Sequence, residues 1–185
     1  MNALLVSTDK ELQQILDLQK MNLRGVNDQT TEKEQGFVTV AHTLKKLQQL
    51  NGYEPSVIVK DNDALAGYAL VMSIECSAVI PELFSFFERL GKLVYKGRPV
   101  SEYRFYTMGQ ICVAATYRGS GVFDMLYQQH KEAFSKKYDF VITSIATRNV
   151  RSIRAHERIG FKKLEMFTDD LDEWMVVIWD WTNEM

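Results

Sequence analysis

The chain has 185 residues, 46% of them apolar and 25% charged, with 3 prolines and a net charge of −2. That is enough chain for one domain with a full hydrophobic core and too little for two of ordinary size, and the composition is far from the polar, proline-rich profile of disorder. The charge balance gives no global attraction to a nucleic-acid backbone. The uncharged apolar stretches Ala64 to Ile74 and Phe105 to Tyr117 fall short of the ~20 apolar residues of a membrane-spanning helix.

The opening MNALLVSTDKE lacks the basic stretch and long apolar run of a secretory signal, so a cytoplasmic protein is expected. Ala3 to Ser7 reads as a strand. Thr8 then offers an N-cap hydroxyl with Glu11 completing a capping box, and Leu12, Ile15 and Leu16 give an apolar stripe, so a helix is predicted at about residues 8–22. After a polar stretch from Arg24 to Gln35, the spacing of Val38, Ala41, Leu44, Leu47 and Leu50 predicts a second helix that stops at Asn51-Gly52.

Ser56 to Lys60 and Leu65 to Ile74, split by the turn-rich DNDA, predict an antiparallel hairpin, and Pro81 to Tyr95 a further helix. Tyr103 to Ala115 reads as a strand, followed by the turn YRGSG and a helix to about Lys137. Phe140 to Ala146 is a buried strand and Asn149 to Ile159 a short helix closed by Gly160. Phe161 to Phe167 and Trp174 to Trp181 make a final strand pair. A βαβ unit inside a mixed sheet, hence an α/β or α+β sandwich, follows. Cys76 and Cys112 lie in apolar segments without CxxC or Cys/His spacing, so reduced buried thiols are expected, with no disulfide and no metal site.

The segment Val113 to Val122 runs from a strand straight into a helix with Gly119 and Gly121 at the junction. Such a junction aims unpaired backbone N–H groups and the positive helix end outward, which suits a phosphate; the glycines alone would equally permit a tight turn and nothing more. No Lys-Ser/Thr pair follows, and Asp124 stands where a dinucleotide fingerprint has its third glycine. P-loop hydrolysis and hydride transfer lose their main support.

About thirty residues on, Asn149 opens a helix that ends in Gly160-Phe161. With Arg118 and Gly121 these residues make Q/R-x-x-G-x-G/A followed by Asn and Gly-Phe, and the chain resembles the GNAT superfamily of acetyl-CoA-dependent N-acyltransferases. The likeness is closest from Gln110 to Lys163; before it, the order of strand, two helices and antiparallel pair agrees. It implies one GNAT-like domain over residues 1–185, with a mixed, mostly antiparallel sheet, a central splayed parallel strand pair and flanking helices. It implies acetyl-CoA as co-substrate and transfer of acetyl to a primary amine by direct attack in a ternary complex.

By the same resemblance, Ile111, Cys112 and Val113 would offer backbone groups to the pantetheine arm and thioester carbonyl. Backbone N–H groups of Arg118, Gly119, Ser120, Gly121, Val122 and Phe123 would hold the pyrophosphate. Asn149, with Ser152 on its helix face, would meet the pantetheine side. Phe123 departs from the usual glycine or alanine; its N–H remains, and its ring shares a stripe with Tyr127 and Phe134.

The family usually carries a tyrosine seven residues after the asparagine to protonate the departing thiolate, and His156 stands there. A histidine of ordinary pKa, about 6.5, could donate that proton; equally, His156 could pack while water protonates the sulfur. No general base stands out. Gln110, polar in an apolar strand, could orient the acceptor or simply be a satisfied strand side chain, and His130, on an apolar stripe, is expected to be structural.

Six cationic side chains from Arg148 to Lys163 against the single Glu157 fit a solvated helix face, and nucleic acid is not an expected partner. The partners implied are an amine-bearing small molecule or peptide and no membrane, with a homodimer left open. The acceptor is expected where Arg24 to Phe37 meets the final strand pair, with Asp28, Glu32 and Glu34 suited to a cationic amine. The alternative is a non-catalytic acyl-CoA-binding or interaction module of the same fold.

Overall fold

A computed structural model describes residues 1–26, 37–78, 80 and 84–182. Among these residues nine strands and five α-helices follow in order: β1 (Asn2–Leu5), α1 (Asp9–Asn22), α2 (Leu44–Tyr53), β2 (Val57–Asp61), β3 (Ala64–Met72), α3 (Phe84–Lys92), β4 (Val94–Tyr95), β5 (Arg98–Pro99), β6 (Phe105–Val113), α4 (Val122–Phe134), β7 (Phe140–Ala146), α5 (Val150–Ile159), β8 (Lys162–Thr168) and β9 (Glu173–Asp180). Seven strands form one sheet in the order β1-β2-β3-β6-β7-β9-β8. Every pair in it is antiparallel except β6 with β7. No helix among the described residues is long and apolar enough to cross a membrane.

Alternation along the strands sorts the core onto two faces. Ile58, Tyr68, Leu70, Phe105, Cys112, Phe140 and Ile142 pack with the apolar stripes of α1, α2 and α3. Their neighbours Val57, Val59, Ala69, Val71, Tyr106 and Val141 pack with Val122, Leu126 and Tyr127 of α4. At the crossing of β3, β6 and α4, a Cβ on Gly67 would come to 2.8 Å from Val122 Cγ1 and 2.9 Å from the Cys112 carbonyl oxygen. Gly67→Ala is therefore expected to destabilise the fold by about 1–3 kcal/mol, as overpacking does. Urea unfolding measures it, and an unchanged midpoint would contradict the contact.

The predicted α1 stands with its capping box: Glu11 N–H donates to the Thr8 hydroxyl (3.3 Å) and Thr8 N–H to the Glu11 carboxylate (3.1 Å). The second helix does not begin at Val38. That residue is drawn into an extended bridge with the end of α1, Val38 N–H to the Asn22 carbonyl and Arg24 N–H to the Val38 carbonyl, both 2.9 Å. Thr43 caps the helix instead, accepting from Lys46 N–H, and the helix runs through Gly52 to Tyr53.

Of the helix predicted for residues 81–95, residues 81–83 lie outside the described residues, and α3 ends at Lys92. Val94 and Tyr95 turn back on Arg98 and Pro99 as a small hairpin, with positive φ at Lys96 and Gly97.

Candidate active site

The site begins where β6 and β7 part. Their parallel pairing covers only Phe105 to Thr107 against Phe140 to Ile142. Thr143 then donates its hydroxyl to the Met108 carbonyl (2.8 Å), and beyond this bond the strands diverge. A register shift opposite Leu70 bulges β6 at Gly109 and Gln110, and the end of the Met72 side chain fills the space a Cβ on Gly109 would take. The result is a cleft of ≈ 530 Å³ whose walls include Met108 to Val113 on one strand and Thr143 to Ala146 on the other.

One end of the cleft reaches the start of α4. Gly119 and Gly121 hold left-handed φ of 79° and 84°, which only glycine adopts freely, and no side chain caps the helix. Arg118 N–H and Ser120 N–H turn inward to the carbonyls of Ala115 (3.4 Å) and Tyr117 (3.3 Å). The first-turn N–H groups of Val122 and Phe123 lie beyond the reach of intrahelical acceptors. The Arg118 guanidinium reaches Asn22 Oδ1 (2.9 Å) at the end of α1.

On the other wall, Asn149 is the N-cap of α5, its Oδ1 accepting from Ser152 N–H (3.2 Å). One turn on, His156 is 1% exposed. Its Nδ1 lies 2.7 Å from the Ser152 carbonyl oxygen, an acceptor only, so Nδ1 carries the proton and Nε2 accepts from the Tyr127 hydroxyl at 2.6 Å. The rings of Phe123, Tyr127 and Phe161 surround it at centroid distances of 5.0–5.3 Å. Burial lowers its pKa to about 4. Near neutral pH this geometry keeps His156 uncharged, with both ring nitrogens engaged. The Phe123 ring packs inward against it and Tyr127, as its stripe suggests.

The acetyltransferase (GNAT) family model matches residues 22–161. The chain belongs to that family. Solved structures share its fold at low identity. An N-acetyltransferase from Staphylococcus aureus Mu50 is 19% identical at a TM-score of 0.62, over 97% of this chain and 99% of that one. A ribosomal-protein-alanine N-acetyltransferase from Brucella melitensis is 16% identical at 0.63, over 97% and 99%. The NatC complex bound to Gag peptide and CoA is 11% identical at 0.64, again over 97% and 99%. No curated protein matches the sequence.

This GNAT chain brings Ile111, Cys112, Val113, Gly119, Gly121, Val122, Phe123, Asn149, Ser152 and His156 to one cleft; Arg118 lines it too, whereas Ser120 is outside its lining. Cys112 and Cys76 are free and buried, and burial pushes the Cys112 thiol up to about 12. His130 is fully buried, its Nδ1 2.8 Å from the Tyr106 hydroxyl. In the basic stretch, Arg148 and Arg158 pair with Asp172 and Asp124, each at 2.6 Å.

Sequence reasoning missed the network beneath the cleft floor. Gln110 Oε1 accepts from Gln19 Nε2 (2.7 Å) and from the Tyr68 hydroxyl (2.6 Å), while Gln110 Nε2 donates to the Val40 carbonyl (2.9 Å). Gln19 Oε1 in turn accepts from His42 N–H (2.7 Å). This buried network straps residues 40–42 to β6 and so positions the cleft-lining Phe37, Val38 and Thr39. The polar Gln110 in an apolar strand was the available signal. At the expected acceptor side, Arg24 and Arg148 both meet Asp172 of the β8–β9 turn, at 3.8 and 2.6 Å, and Arg148 lies over the Phe37 ring. Asp28, Glu32 and Glu34 lie outside the described residues.

Proposed function

We propose that the chain is an N-acetyltransferase that moves acetyl from acetyl-CoA to a primary amine by direct attack in a ternary complex. The observation that carries this reading is the continuity of the cleft, from the β6–β7 fork to an uncapped helix N-terminus flanked by left-handed glycines. Acetyl-CoA supplies an acyl thioester: the C–N bond forms as C–S breaks, and a proton from the amine ends on the sulfur.

The residues present fit that co-substrate. The N–H groups of Gly119, Gly121, Val122 and Phe123 bind phosphate oxygens without a cationic side chain, as helix N-termini do. Strand β6, released from β7 after Thr107, offers backbone donors and acceptors from Gly109 to Val113 to an amide-bearing arm and to the carbonyl to be polarised. Asn149, its Oδ1 spent on the cap, keeps its amide N–H groups for a ligand carbonyl. His156 acts as a positioning residue that fixes the wall formed by Phe123 and α5.

The test is thiol release from acetyl-CoA across a panel of amino acids, peptides and amino sugars. Acceptor-dependent release with mass-verified acetylation of any member is expected. Saturable CoA binding without turnover on any acceptor would instead establish the binding module.

A further inference from the structure

We propose that Gln19 and Gln110 are positioning residues for acetyl transfer: their side-chain amides stand in for a neighbouring strand and hold the wall of Phe37, Val38 and Thr39 at a fixed place against β6. This rests on the acetyltransferase reading above, with the amine entering beside that wall.

Between α1 and α2 the chain bonds through every second residue, as along one edge of a strand. Val38 pairs with the end of α1, its N–H to the Asn22 carbonyl and its carbonyl to Arg24 N–H, both 2.9 Å. Beyond it the partners are side chains. The Val40 carbonyl accepts from Gln110 Nε2 (2.9 Å), and His42 N–H donates to Gln19 Oε1 (2.7 Å). Gln19 Nε2 donates in turn to Gln110 Oε1 (2.7 Å). Joined in this way, the two amides offer the backbone one donor and one acceptor, which is what a strand would offer there.

The route of this tie bears on the reaction. Gln110 sits in the bulge of β6 and lines the cleft, while its side chain crosses to α1. One residue thus sets the distance between the strand that presents the thioester and the wall beside the amine. A misplacement of about 1 Å can cost about 100-fold in rate. Burial keeps the tie in place: Gln19 and Gln110 are 2% and 7% exposed, and a buried amide that loses its partner has no water to replace it. Gln19 is outside the cleft lining, so it acts only through the segment it holds. The Tyr68 hydroxyl gives Gln110 Oε1 a second donor (2.6 Å) and takes no part in the bonds to residues 40 and 42.

Three variants separate positioning from general packing. Gln19→Leu removes the bond to His42 and leaves Gln110 tied to Val40 and supported by Tyr68. Gln110→Met cuts the Val40 bond. Tyr68→Phe is the control, since it takes a donor from the same buried network and keeps both ties. Circular dichroism checks that each folds; should Gln110→Met fail to fold, Gln19→Leu carries the test.

Hydrogen exchange read by mass spectrometry over residues 37–43 follows the segment, and calorimetry gives the acetyl-CoA Kd. In the parent the segment is expected to exchange equally slowly with and without acetyl-CoA. In Gln19→Leu it is expected to exchange about tenfold faster, with β6 and the acetyl-CoA Kd as in the parent. The kinetic probe is the amine of the panel above that the parent acetylates fastest. Its kcat/KM is expected to fall about tenfold in Gln19→Leu and in Gln110→Met, and to keep the parent's value in Tyr68→Phe. The KM for acetyl-CoA should not move in Gln19→Leu.

Parent-like exchange in Gln19→Leu, faster exchange with unchanged amine kinetics, or an equal loss in Tyr68→Phe would overturn the role. Protection that arises only with acetyl-CoA would overturn it as well, by making the cofactor the builder of the wall. A parent that binds acetyl-CoA and acetylates no panel amine would instead overturn the acetyltransferase reading itself, which keeps the two failures apart.

Discussion

Gly121→Val is expected to raise the Kd for CoA at least about tenfold while the fold persists. Gly121 stands as the N-cap of α4 at φ 84°, a conformation that costs a β-branched residue about 1–3 kcal/mol. Relief of that strain rotates the backbone and turns away the N–H groups of Val122 and Phe123, the donors for phosphate. The loss of about 1.4 kcal/mol that corresponds to tenfold lies within this range. Gly121→Asn is the control, since asparagine tolerates the left-handed region, and its Kd should stay within a few-fold of the parent. Calorimetry with CoA, beside far-UV circular dichroism to confirm folding, reads both. A valine variant that binds CoA as the parent does would place the phosphate elsewhere.

The second large effect is on stability. His156→Phe strips the buried Tyr127 hydroxyl of its acceptor, at a cost of about 1–3 kcal/mol, and loses the Nδ1–H bond to the Ser152 carbonyl, about 0.5–1.5 kcal/mol. A loss of about 2–4 kcal/mol in urea unfolding is expected. Adding Tyr127→Phe should recover part of it, because removing both partners leaves no orphan.

The sign with pH follows from burial. His156 is held to about 4 in the folded chain against about 6.5 unfolded, so the unfolded state binds more protons between these values and stability falls as pH drops through that window. The variant loses this share of the acid sensitivity, while the share of His130, held to about 3, remains. Turnover should show no limb near neutrality that disappears with His156; such a limb would restore the imidazolium donor.

The parts of the fold that were legible in the sequence are those whose cause is local. The Thr8 to Glu11 capping box, the antiparallel pair around Asn62, the buried strand Phe140 to Ala146 and the glycine junction each carry their signal within a few residues. Val38 was misread because its partner, Leu23, belongs to another element, and a helical spacing of apolar residues does not exclude an extended bridge. Gln19 and Gln110 lie far apart in the chain, so neither reveals that the other satisfies it. The position of His156 was readable from Asn149, but its charge state was not, since Phe123, Tyr127 and Phe161 close around it only in the folded chain. The fork itself depends on where β7 pairing stops, a choice fixed by Thr143 and the Met108 carbonyl.

The measurement that bears most directly on the central claim is calorimetric titration of the parent chain with acetyl-CoA, repeated with 3′,5′-ADP and with pantetheine. Saturable one-site binding of acetyl-CoA is expected, far tighter than either fragment alone, because the cleft joins the glycine turn to the β6–β7 fork. No saturable heat with acetyl-CoA, in a folded sample, would contradict the account.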